Sequence, residues 1–384
     1  MSDEFVSLTL THLTPACCGS RSMSNSDFFN WKPMVHVFVP YTIREGRLES
    51  PEYDTPAYRA EVKSWFDRLH LEWKWVPISR PTLDRAIEDT RNHSDPAGLV
   101  VFNLCDGDEI HGYPGLSVVR KLEEARVPFS GASAHFYEAT TSKLRMKDRF
   151  AKHGVPTPPY VTIQDRPEDL ARLTKDPGFP VILKPDISAA SMGISLRSVV
   201  HDAESARAQV RRLIQDEKRQ WEFVPTLFAE RFVDGPEFTV FLVADREQPA
   251  RVRALPAAER VFHSALPANE RFLSRDRYWN EFKEEPSLPV NEPFVRCALA
   301  APDRQEKLAK TAIGAYHAVG GTGYARVDIR MDKQTGELHV LEVNSNCELT
   351  QDEGTSIGAI LRLSETSLVD IVSLILHDAF DRFA

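Results

Sequence analysis

Short apolar runs alternate with amphipathic segments along the first third of the chain. The run MVHVFVP, at 34–40, has the continuous apolar pattern of a buried strand, and similar runs recur at regular intervals after it. Strands that alternate with helices predict a mostly parallel α/β sheet over residues 32 to about 135. The predicted elements are strand 34–40, helix 57–71, strand 72–78, strand 98–104, a helix after Pro114, and the short strand VPFSG at 127–131.

The rest of the chain continues as strands and helices around one irregular stretch. Thr140–Ser142 can cap the free amides of a helix that ends at Gly154. That helix places Lys143 and Lys147 on one face. Residues 256–302 are rich in Pro and charge and lack clear periodicity, which predicts a large mobile loop of the kind that forms lids. The other predicted elements are strand 180–185, polar helix 203–216, strands 227–233 and 238–244, and helix 302–319.

Two alternating strands flank a polar turn near the end of the chain, in ARVDIRMDKQTGELHVLEVNSN at 325–346. If the turn is centred on Thr335, polar residues fall opposite polar residues on one face, and apolar residues face each other on the opposite side. The predicted opposite pairs are Asp328 with Glu342, Arg326 with Asn344, Val327 with Val343, and Ile329 with Leu341.

The polar face of that hairpin predicts a metal site. Asp328 and Glu342, directly across a sheet, repel each other unless a cation lies between them. With the amide of Asn344 they form an oxygen-only ligand set, which suits Mg²⁺ or Mn²⁺ beside nucleotide phosphates and disfavours Zn²⁺. A solvated polar face on a surface hairpin would show the same alternation.

A loop of small residues, DISAASMGI at 186–194, follows the apolar strand VILKP. Its backbone amides and the hydroxyls of Ser188 and Ser191 can bind phosphate oxygens, and Lys184 can supply a point charge. The stretch has a single glycine, Gly193, and matches neither a Walker loop nor a dinucleotide fingerprint. An ordinary turn between two strands is the alternative.

Composition narrows the class of protein. A chain of 384 residues is long enough for two or three subdomains, and a net charge of -9 argues against nucleic acid or an anionic membrane as the main partner. Five cysteines without C-x-x-C spacing indicate a reducing cytoplasm rather than a zinc knuckle or a disulfide framework.

No apolar run reaches the roughly 18 residues of a membrane span, and MSDEFVSLTL lacks the basic start of a secretory signal. Residues 1–30 lack periodicity, which predicts a flexible tail.

Five segments, in this order along the chain, resemble the ATP-grasp superfamily and within it the D-alanine–D-alanine ligases. They are SKLRMKDRFAKHGVPTPPY, PVILKPDISAASMGI, AERFVDGPEFTV, ARVDIR and LEVNSN, and the resemblance covers roughly residues 98–375. It implies an α/β fold, α+β in part, in which an N-terminal parallel α/β domain precedes two lobes that clasp ATP. The implied units are the tail at 1–30, the N-terminal domain at 31–138, a central lobe at 139–228, and a C-terminal lobe at 229–384 with a lid loop at 256–302.

The resemblance also implies roles for individual residues. Each has a structural alternative; for example, Glu230 and Glu237 could be exposed strand residues, and Lys143 could be a solvated helix lysine. The implied nucleotide contacts are Lys143, Lys184 and Ser191 at the phosphates, Glu230 and Glu237 at the adenine amine and the ribose hydroxyls, Phe232 nearby, and the lid lysine Lys283. The implied ligands of two Mg²⁺ or Mn²⁺ ions are Asp328, Glu342 and Asn344. Arg326 resembles the arginine that stabilises the oxyanion, and Lys184 and Ser191 complete the implied catalytic set.

The implied reaction joins a small-molecule carboxylate to an amine. Phosphoryl transfer from ATP gives an acyl phosphate, the amine attacks it, and phosphate leaves as the amide forms. The family resemblance further implies a homodimer formed through the N-terminal domain. Two alternatives use the same metal site: a kinase that releases a phosphorylated small molecule, and a nucleotide-binding protein without turnover.

The first-substrate region departs from the D-alanine–D-alanine ligase pattern. PYTIREGRLESPEYD, at 40–54, lacks the Gly-rich start and following glutamate that orient the first D-alanine. The loop CDGDEIHG follows an apolar strand, where α/β sheets expose ligand-binding groups, so Asp106, Glu109 and His111 are the first-substrate candidates. An acidic surface loop is the alternative.

The second-substrate region departs as well. Where the family has a Pro-Gly pair and later a serine, this chain has CELTQDE at 347–353. Glu348 and Glu353 would repel an acceptor carboxylate, which predicts an acceptor that is cationic or lacks a free carboxylate. They could equally be surface charges.

Overall fold

The computed structural model describes residues 32–383 except 45, 94–97, 222–224, 245–251, 280–284, 287 and 289–291. The expected tail at 1–30 and the candidate Lys283 therefore lie outside the described residues. Among the helices of the described part, none combines the length and the apolar character that a bilayer crossing requires.

A parallel sheet forms the first part of the fold. The elements of this part of the chain are β1 (Met34–Pro40), β2 (Thr42–Arg44), β3 (Arg47–Glu49), α1 (Pro56–Leu69), β4 (Trp73–Ile78), α2 (Leu83–Arg91), β5 (Leu99–Asn103) and α3 (Leu116–Ala125). β2 and β3 pair with each other in a separate antiparallel sheet. β1 lies between β4 and β5, and both pairs are parallel, which confirms the expected α/β arrangement. The expected strand at 127–131 is wrong, since Phe129 makes only an isolated bridge to Val101. Pro128 has no N–H with which to extend a ladder.

Two helices lead into the central lobe: the second confirms the helix expected from Thr140–Ser142 to Gly154, and the first was not predicted. They are α4 (Ala134–Thr141) and α5 (Lys143–Lys152). Ser142 separates them because its backbone is extended, and its hydroxyl accepts a hydrogen bond from the amide of Arg145 at 3.2 Å. α5 therefore begins at Lys143.

A four-stranded antiparallel sheet forms the central lobe. Its elements are β6 (Tyr160–Ile163), α6 (Pro167–Arg172), β7 (Val181–Pro185), β8 (Val199–Val200), α7 (Ala203–Trp221) and β9 (Leu227–Arg231), with strand order β6-β9-β7-β8. Val181 and Leu183 belong to the apolar cluster formed with α6 and α7. Because side chains alternate along a strand, Lys184 on β7 and Glu230 on β9 lie on the other face of this sheet.

A larger antiparallel sheet forms the C-terminal lobe. Its elements are β10 (Glu237–Ala244), β11 (Val252–Ala254), β12 (Ala258–Phe262), α8 (Arg275–Trp279), β13 (Val295–Leu299), α9 (Pro302–Ala318), β14 (Ala325–Met331), β15 (Leu338–Ser345), α10 (Ser356–Leu363) and α11 (Leu368–Asp381). The strand order is β13-β12-β10-β14-β15, with β11 paired to β10. The chain passes between the two sheets at 232–236, whereas the expected boundary at 228/229 falls inside β9.

The prediction of a single loop over residues 256–302 is wrong for part of that stretch. Both β12 and β13 lie in this stretch as strands of the larger sheet, and α8 lies between them. The pattern concealed β12 because its inward side carries Arg260, which is 4% exposed, where a buried strand usually has an apolar residue. A lid role for the remainder stays a prediction.

The hairpin of β14 and β15 confirms three of the four predicted pairs. Asp328 faces Glu342, and the neighbouring pairs toward the open end of the hairpin have the predicted register. Ile329 faces Val340 instead of Leu341, because a bulge follows Asp328 and shifts the register by one residue.

Candidate active site

The polar face of the hairpin brings the predicted metal ligands together. Asn344 Nδ2 lies 3.2 Å from Glu342 Oε1 and 3.5 Å from Asp328 Oδ2. The Asp328 side chain is 6% exposed and that of Glu342 is 29% exposed. A solvated surface face would leave both carboxylates in water, so the burial of Asp328 excludes that alternative.

Arg326 lies beside the buried carboxylate. Its Nη2 donates to Asp328 Oδ2 at 3.1 Å and lies 4.0 Å from Glu342 Oε1. Burial alone would raise the pKa of Asp328, but the guanidinium groups of Arg260 and Arg326 outweigh burial and hold that pKa below its ordinary value. Asp328 is therefore ionised at neutral pH.

Arg260, which the sequence pattern did not single out, joins two of the predicted site carboxylates. Its Nη1 donates to Glu237 Oε1 at 2.7 Å, and its Nη2 donates to Asp328 Oδ1 at 3.2 Å. Nη2 also donates to Ser356 Oγ at 2.9 Å, which ties α10 to the sheet. This guanidinium therefore fixes the orientation of both carboxylates.

The chemistry of these donors fits a hard divalent cation. The two carboxylates and one amide oxygen match the ligands that Mg²⁺ takes alongside waters and phosphates. Asn344 presents Nδ2 to the carboxylates, so metal ligation requires its amide to turn by about 180° and present Oδ1. Within the described residues, no group of three or more His, Cys, Asp or Glu side chains is arranged to hold a metal. Asn344 stays the predicted third ligand.

Lys184 and Glu230 meet on the inner face of the central sheet. Lys184 Nζ lies 2.5 Å from Glu230 Oε1, and Lys147 Nζ lies 2.6 Å from Glu230 Oε2. Burial alone would raise the pKa of Glu230, but the two lysines lower it to about 2. Both oxygens of Glu230 are engaged by lysines, so its implied contact with the adenine amine or the ribose stays a prediction.

Lys143 connects the small-residue loop to the hairpin. Its Nζ donates to the backbone oxygen of Ser188 at 2.6 Å and lies 3.9 Å from Glu342 Oε2. The carboxylate of Asp186 accepts from the Ser142 hydroxyl and from the Leu144 amide, each at 2.8 Å, and so holds the start of α5 against the loop. Burial lowers the pKa of Lys143, and Glu342 partly offsets that effect.

The small-residue loop has a tightly constrained backbone. Gly193 has φ of +73°, and an added Cβ would lie 2.7 Å from Pro185 Cγ, so only glycine fits this position. Ser191 donates its hydroxyl to the backbone oxygen of Leu273 at 3.2 Å, and Trp279 Nε1 donates to the backbone oxygen of Ala190 at 3.1 Å. The loop is therefore held by Leu273, just before α8, and by Trp279, the last residue of α8, and phosphate binding by Ser191 stays a prediction.

Glu237 and Phe232, the other implied nucleotide contacts, lie where the chain enters the larger sheet. Glu237 pairs with Arg260 and lies 3.8 Å from Arg330 Nη1. Phe232 is buried against Phe272, with ring centroids 6.1 Å apart, and the Arg330 guanidinium lies 4.9 Å from its ring centroid. The two side chains belong to one buried group, and their nucleotide contacts stay predictions.

Asp106 and Glu348 belong to one acidic cluster. Both residues are exposed, and Glu52 lies within electrostatic reach of each. The pKa of Asp106 is raised to about 7, mainly by desolvation, and the negative charges of Glu52 and Glu348 raise it further. The hydrogen bond that Tyr53 Oη donates to Asp106 at 2.7 Å acts in the opposite direction and lowers this pKa. Desolvation and Glu52 likewise raise the pKa of Glu348, against the effect of Arg326.

The other three substrate candidates have structural partners. Glu109 Oε1 accepts from the amides of Gly115 and Ser117 at 2.9 and 2.8 Å, so it caps the first turn of α3. His111 is buried, with Nδ1 2.5 Å from a carboxylate oxygen of Asp108. Glu353 is exposed and pairs with Arg362 of α10 at 2.7 Å. These three side chains therefore have partners within the fold, and their contacts with a substrate stay predictions.

The two sheets and the polar groups between them define a chain with the ATP-grasp fold. The D-alanine–D-alanine ligase of Bacillus anthracis complexed with ATP superposes with a TM-score of 0.63 at 14% identity. A second structure of that ligase gives a TM-score of 0.60 at 16% identity. Each match covers 92% of this chain and 98% of the other. Identities this low support the fold alone.

Sequence similarity identifies the family. The family model described as D-ala D-ala ligase C-terminus matches residues 150–353, which is more than half of the 384 residues. The chain therefore belongs to this D-alanine–D-alanine ligase C-terminal family, and the resemblance inferred from the motifs is confirmed. The D-alanine–D-alanine ligase of Chromohalobacter salexigens is 29% identical over 242 residues, which cover 62% of this chain and 65% of that relative. The match thus spans slightly less than two thirds of the relative's length.

Proposed function

We propose that this chain is an ATP-dependent ligase that joins a carboxylate to an amine through an acyl phosphate. The observation that carries the proposal is the 3.9 Å approach of Lys143, at the start of α5, to Glu342 on the hairpin. This approach supports the proposal, because a lysine that can offer its charge to phosphates lies beside an oxygen donor set suited to Mg²⁺. Family membership is consistent with this pairing of functions.

Each charged residue of the site has a separate role in the proposed reaction. Lys143 and Lys184 offer cations to phosphate oxygens, and Arg326 offers a guanidinium to the oxyanion that forms when the amine adds to the acyl phosphate. Mg²⁺ bound at the hairpin carboxylates would neutralise the negative charge of the phosphates. Asp328 keeps Arg326 oriented through their 3.1 Å hydrogen bond.

A screen of substrate pairs tests the proposal. Carboxylates and amines are supplied singly and together with ATP and Mg²⁺, ADP release is recorded, and products are identified by mass spectrometry. A ligase requires both substrates for full ADP release and yields an amide. ADP release with one substrate, together with a phosphorylated product, would indicate a kinase, and no release with any pair would contradict both activities.

The acceptor is the finer part of the proposal: we infer an amine that is cationic or lacks a free carboxylate. Glu348 lies within electrostatic reach of Glu52, Asp106 and Arg326, so acidic groups gather beside the arginine that is predicted to face the oxyanion. An acceptor carboxylate there would meet like charges, whereas an ammonium group would be attracted. D-alanine would therefore be a poor acceptor.

Replacing Glu348 by Gln is expected to shift acceptor preference. The kcat/KM ratio of D-alanine to D-alaninamide should rise about tenfold, because one negative charge no longer opposes the acceptor carboxylate. Glu353→Gln is the matched control, since Glu353 pairs with Arg362 on the surface and its loss should leave the ratio unchanged. Equal shifts in both variants, or D-alanine as the best acceptor of the wild type, would contradict the inferred acceptor.

Substrate binding is expected to depend on pH through Asp106. Its pKa of about 7 means that the carboxylate is mostly neutral at pH 6 and mostly ionised at pH 8. The KM of a cationic substrate should therefore fall as the pH rises through about 7, and Asp106→Asn should remove that fall. Steady-state KM profiles from pH 6 to 8.5 measure this pH dependence. Asp108→Asn is the control, and it tests whether the loss of another nearby carboxylate also removes the fall in KM. An unchanged profile in Asp106→Asn would rule out this assignment.

A further inference from the structure

Lys147 is a buried lysine that shares Glu230 with the cleft lysine Lys184. Its side chain is 1% exposed, whereas that of Lys184 is 16% exposed. Lys147 contacts Glu230 Oε2 at 2.6 Å, and Lys184 contacts Oε1 of the same carboxylate at 2.5 Å. The two lysines thus occupy opposite oxygens of one carboxylate, one from inside the protein and one from the cleft.

Further contacts fix Lys147 in place. Its Nζ donates to Thr157 Oγ1 at 2.8 Å, and Thr157 in turn donates to the backbone oxygen of Val340 at 2.8 Å. Val340 lies on β15, the strand that carries Glu342. The Lys147 ammonium also lies over the rings of Tyr160 and Phe228, at 5.5 and 5.9 Å from their centroids. Glu230 therefore has a fixed plane, with Oε1 directed at Lys184.

The charges of this group explain why two lysines are needed. With Lys184 alone, the negative charge of Glu230 would cancel the positive charge that Lys184 offers to the cleft. With Lys147 the three side chains sum to one positive charge, and the charge exposed to the cleft is that of Lys184. Burying a lysine is costly, so its presence behind Glu230 calls for such a compensating role.

We propose that Lys147 is a positioning residue that balances the charge of Glu230 and so leaves Lys184 with a net positive charge for nucleotide phosphates. This inference rests on the proposed function, because it assumes that Lys184 faces the phosphates of ATP. Lys147 itself does not touch the nucleotide. It acts through Glu230.

Charge removal and charge restoration test the proposal. The dissociation constants of ATP, ADP and AMP are measured calorimetrically with Mg²⁺ for the wild type, Lys147→Met, and Lys147→Met with Glu230→Gln. Lys147→Met should weaken ATP binding about tenfold and AMP binding much less, because the lost charge acts on the distal phosphates. The double variant restores the net charge of one and should restore the ratio of ATP to AMP affinity to within about threefold of the wild-type ratio, because any contact of Glu230 with the adenine or the ribose affects both nucleotides equally.

A purely structural role would give different results. Equal losses for ATP and AMP in Lys147→Met, or a ratio of ATP to AMP affinity in the double variant as low as in the single one, would overturn the proposal. If Lys147→Met does not fold, the double variant still tests the proposal, because it leaves no buried carboxylate without its partner. The proposal then requires the double variant to keep the wild-type ratio of ATP to AMP affinity.

A second measurement separates this inference from the proposed function. The rate at which acetic anhydride modifies Lys184 is followed by peptide mass spectrometry without nucleotide. The rate should fall severalfold in Lys147→Met, because Glu230 then pairs with Lys184 alone, and should exceed the wild-type rate in the double variant. A wild type that binds no adenine nucleotide would contradict the proposed function only, whereas equal acetylation rates in all three proteins would contradict the role of Lys147.

Discussion

Replacing Asp328 by Asn is expected to lower the rate of ADP release by about a thousandfold or more, because the change removes the most buried negative charge of the predicted metal site. Asn retains one carbonyl oxygen for Arg260 and Arg326, so the hairpin should keep its register. The rate is measured with the best substrate pair at saturating ATP, over a range of Mg²⁺ concentrations. Retained full activity would falsify the metal assignment.

Two further variants isolate the cause of that loss. Glu342→Gln removes the second carboxylate, which lies 4.0 Å from Arg326 Nη2 and is 29% exposed, and should lower the rate comparably with little loss of stability. Glu337→Gln is the control in the same hairpin, because Glu337, just before β15, is 57% exposed and its replacement should leave the rate unchanged. A loss in Asp328→Asn without one in Glu342→Gln would assign Asp328 to the orientation of Arg326 alone.

The hairpin illustrates how much of a site local pattern can predict. Alternation with a period of two placed Asp328 opposite Glu342 and Arg326 opposite Asn344, as the structure has them. The bulge after Asp328 was not predictable, because the residues on both sides of it continue the same alternation of apolar and polar types. Its effect on the site is small, since it lies on the turn side of both ligand pairs.

Arg260 illustrates what local pattern misses. Its three partners, Glu237, Asp328 and Ser356, lie 23, 68 and 96 residues away in sequence. A charged residue on the inward face of β12 also removes the apolar alternation by which a strand is usually identified. The buried charge by which Arg260 orients two site carboxylates is therefore also the reason why the sequence pattern did not identify this residue.

The substrate candidates show that residue type alone does not assign a role. Glu109, Glu348 and Glu353 are all acidic residues in loops beside predicted strands. Tertiary structure gives Glu109 the amides at the start of α3 and gives Glu353 an exposed partner in Arg362. Glu348 interacts with Asp106 and Glu52: it raises the pKa of Asp106, and Glu52 raises the pKa of Glu348. These differences depend on long-range packing, which the motif spacing does not contain.

Replacing Arg260 by Met is expected to destabilise the folded chain by about 3–5 kcal/mol, because two buried carboxylates would lose their shared cation. Asp328 and Glu237 are 6% and 5% exposed, so water cannot replace the guanidinium. Urea unfolding, with the slope compared between proteins, measures the free energy of unfolding. Arg304→Met is the control, because Arg304 is 38% exposed and 3.8 Å from Glu259 of β12, and its loss should cost at most about 1 kcal/mol.

The pH dependence of this destabilisation has a definite sign. Because the pKa of Asp328 is held below its ordinary value of 3.8 in the folded chain, the pairing stabilises the wild type above that value and ceases to do so as the pH falls through the folded-state pKa. The difference between the wild type and Arg260→Met should thus be largest near pH 7 and shrink below about pH 4. A difference independent of pH would mean that Arg260 stabilises the sheet by packing its side chain rather than by neutralising the two carboxylates.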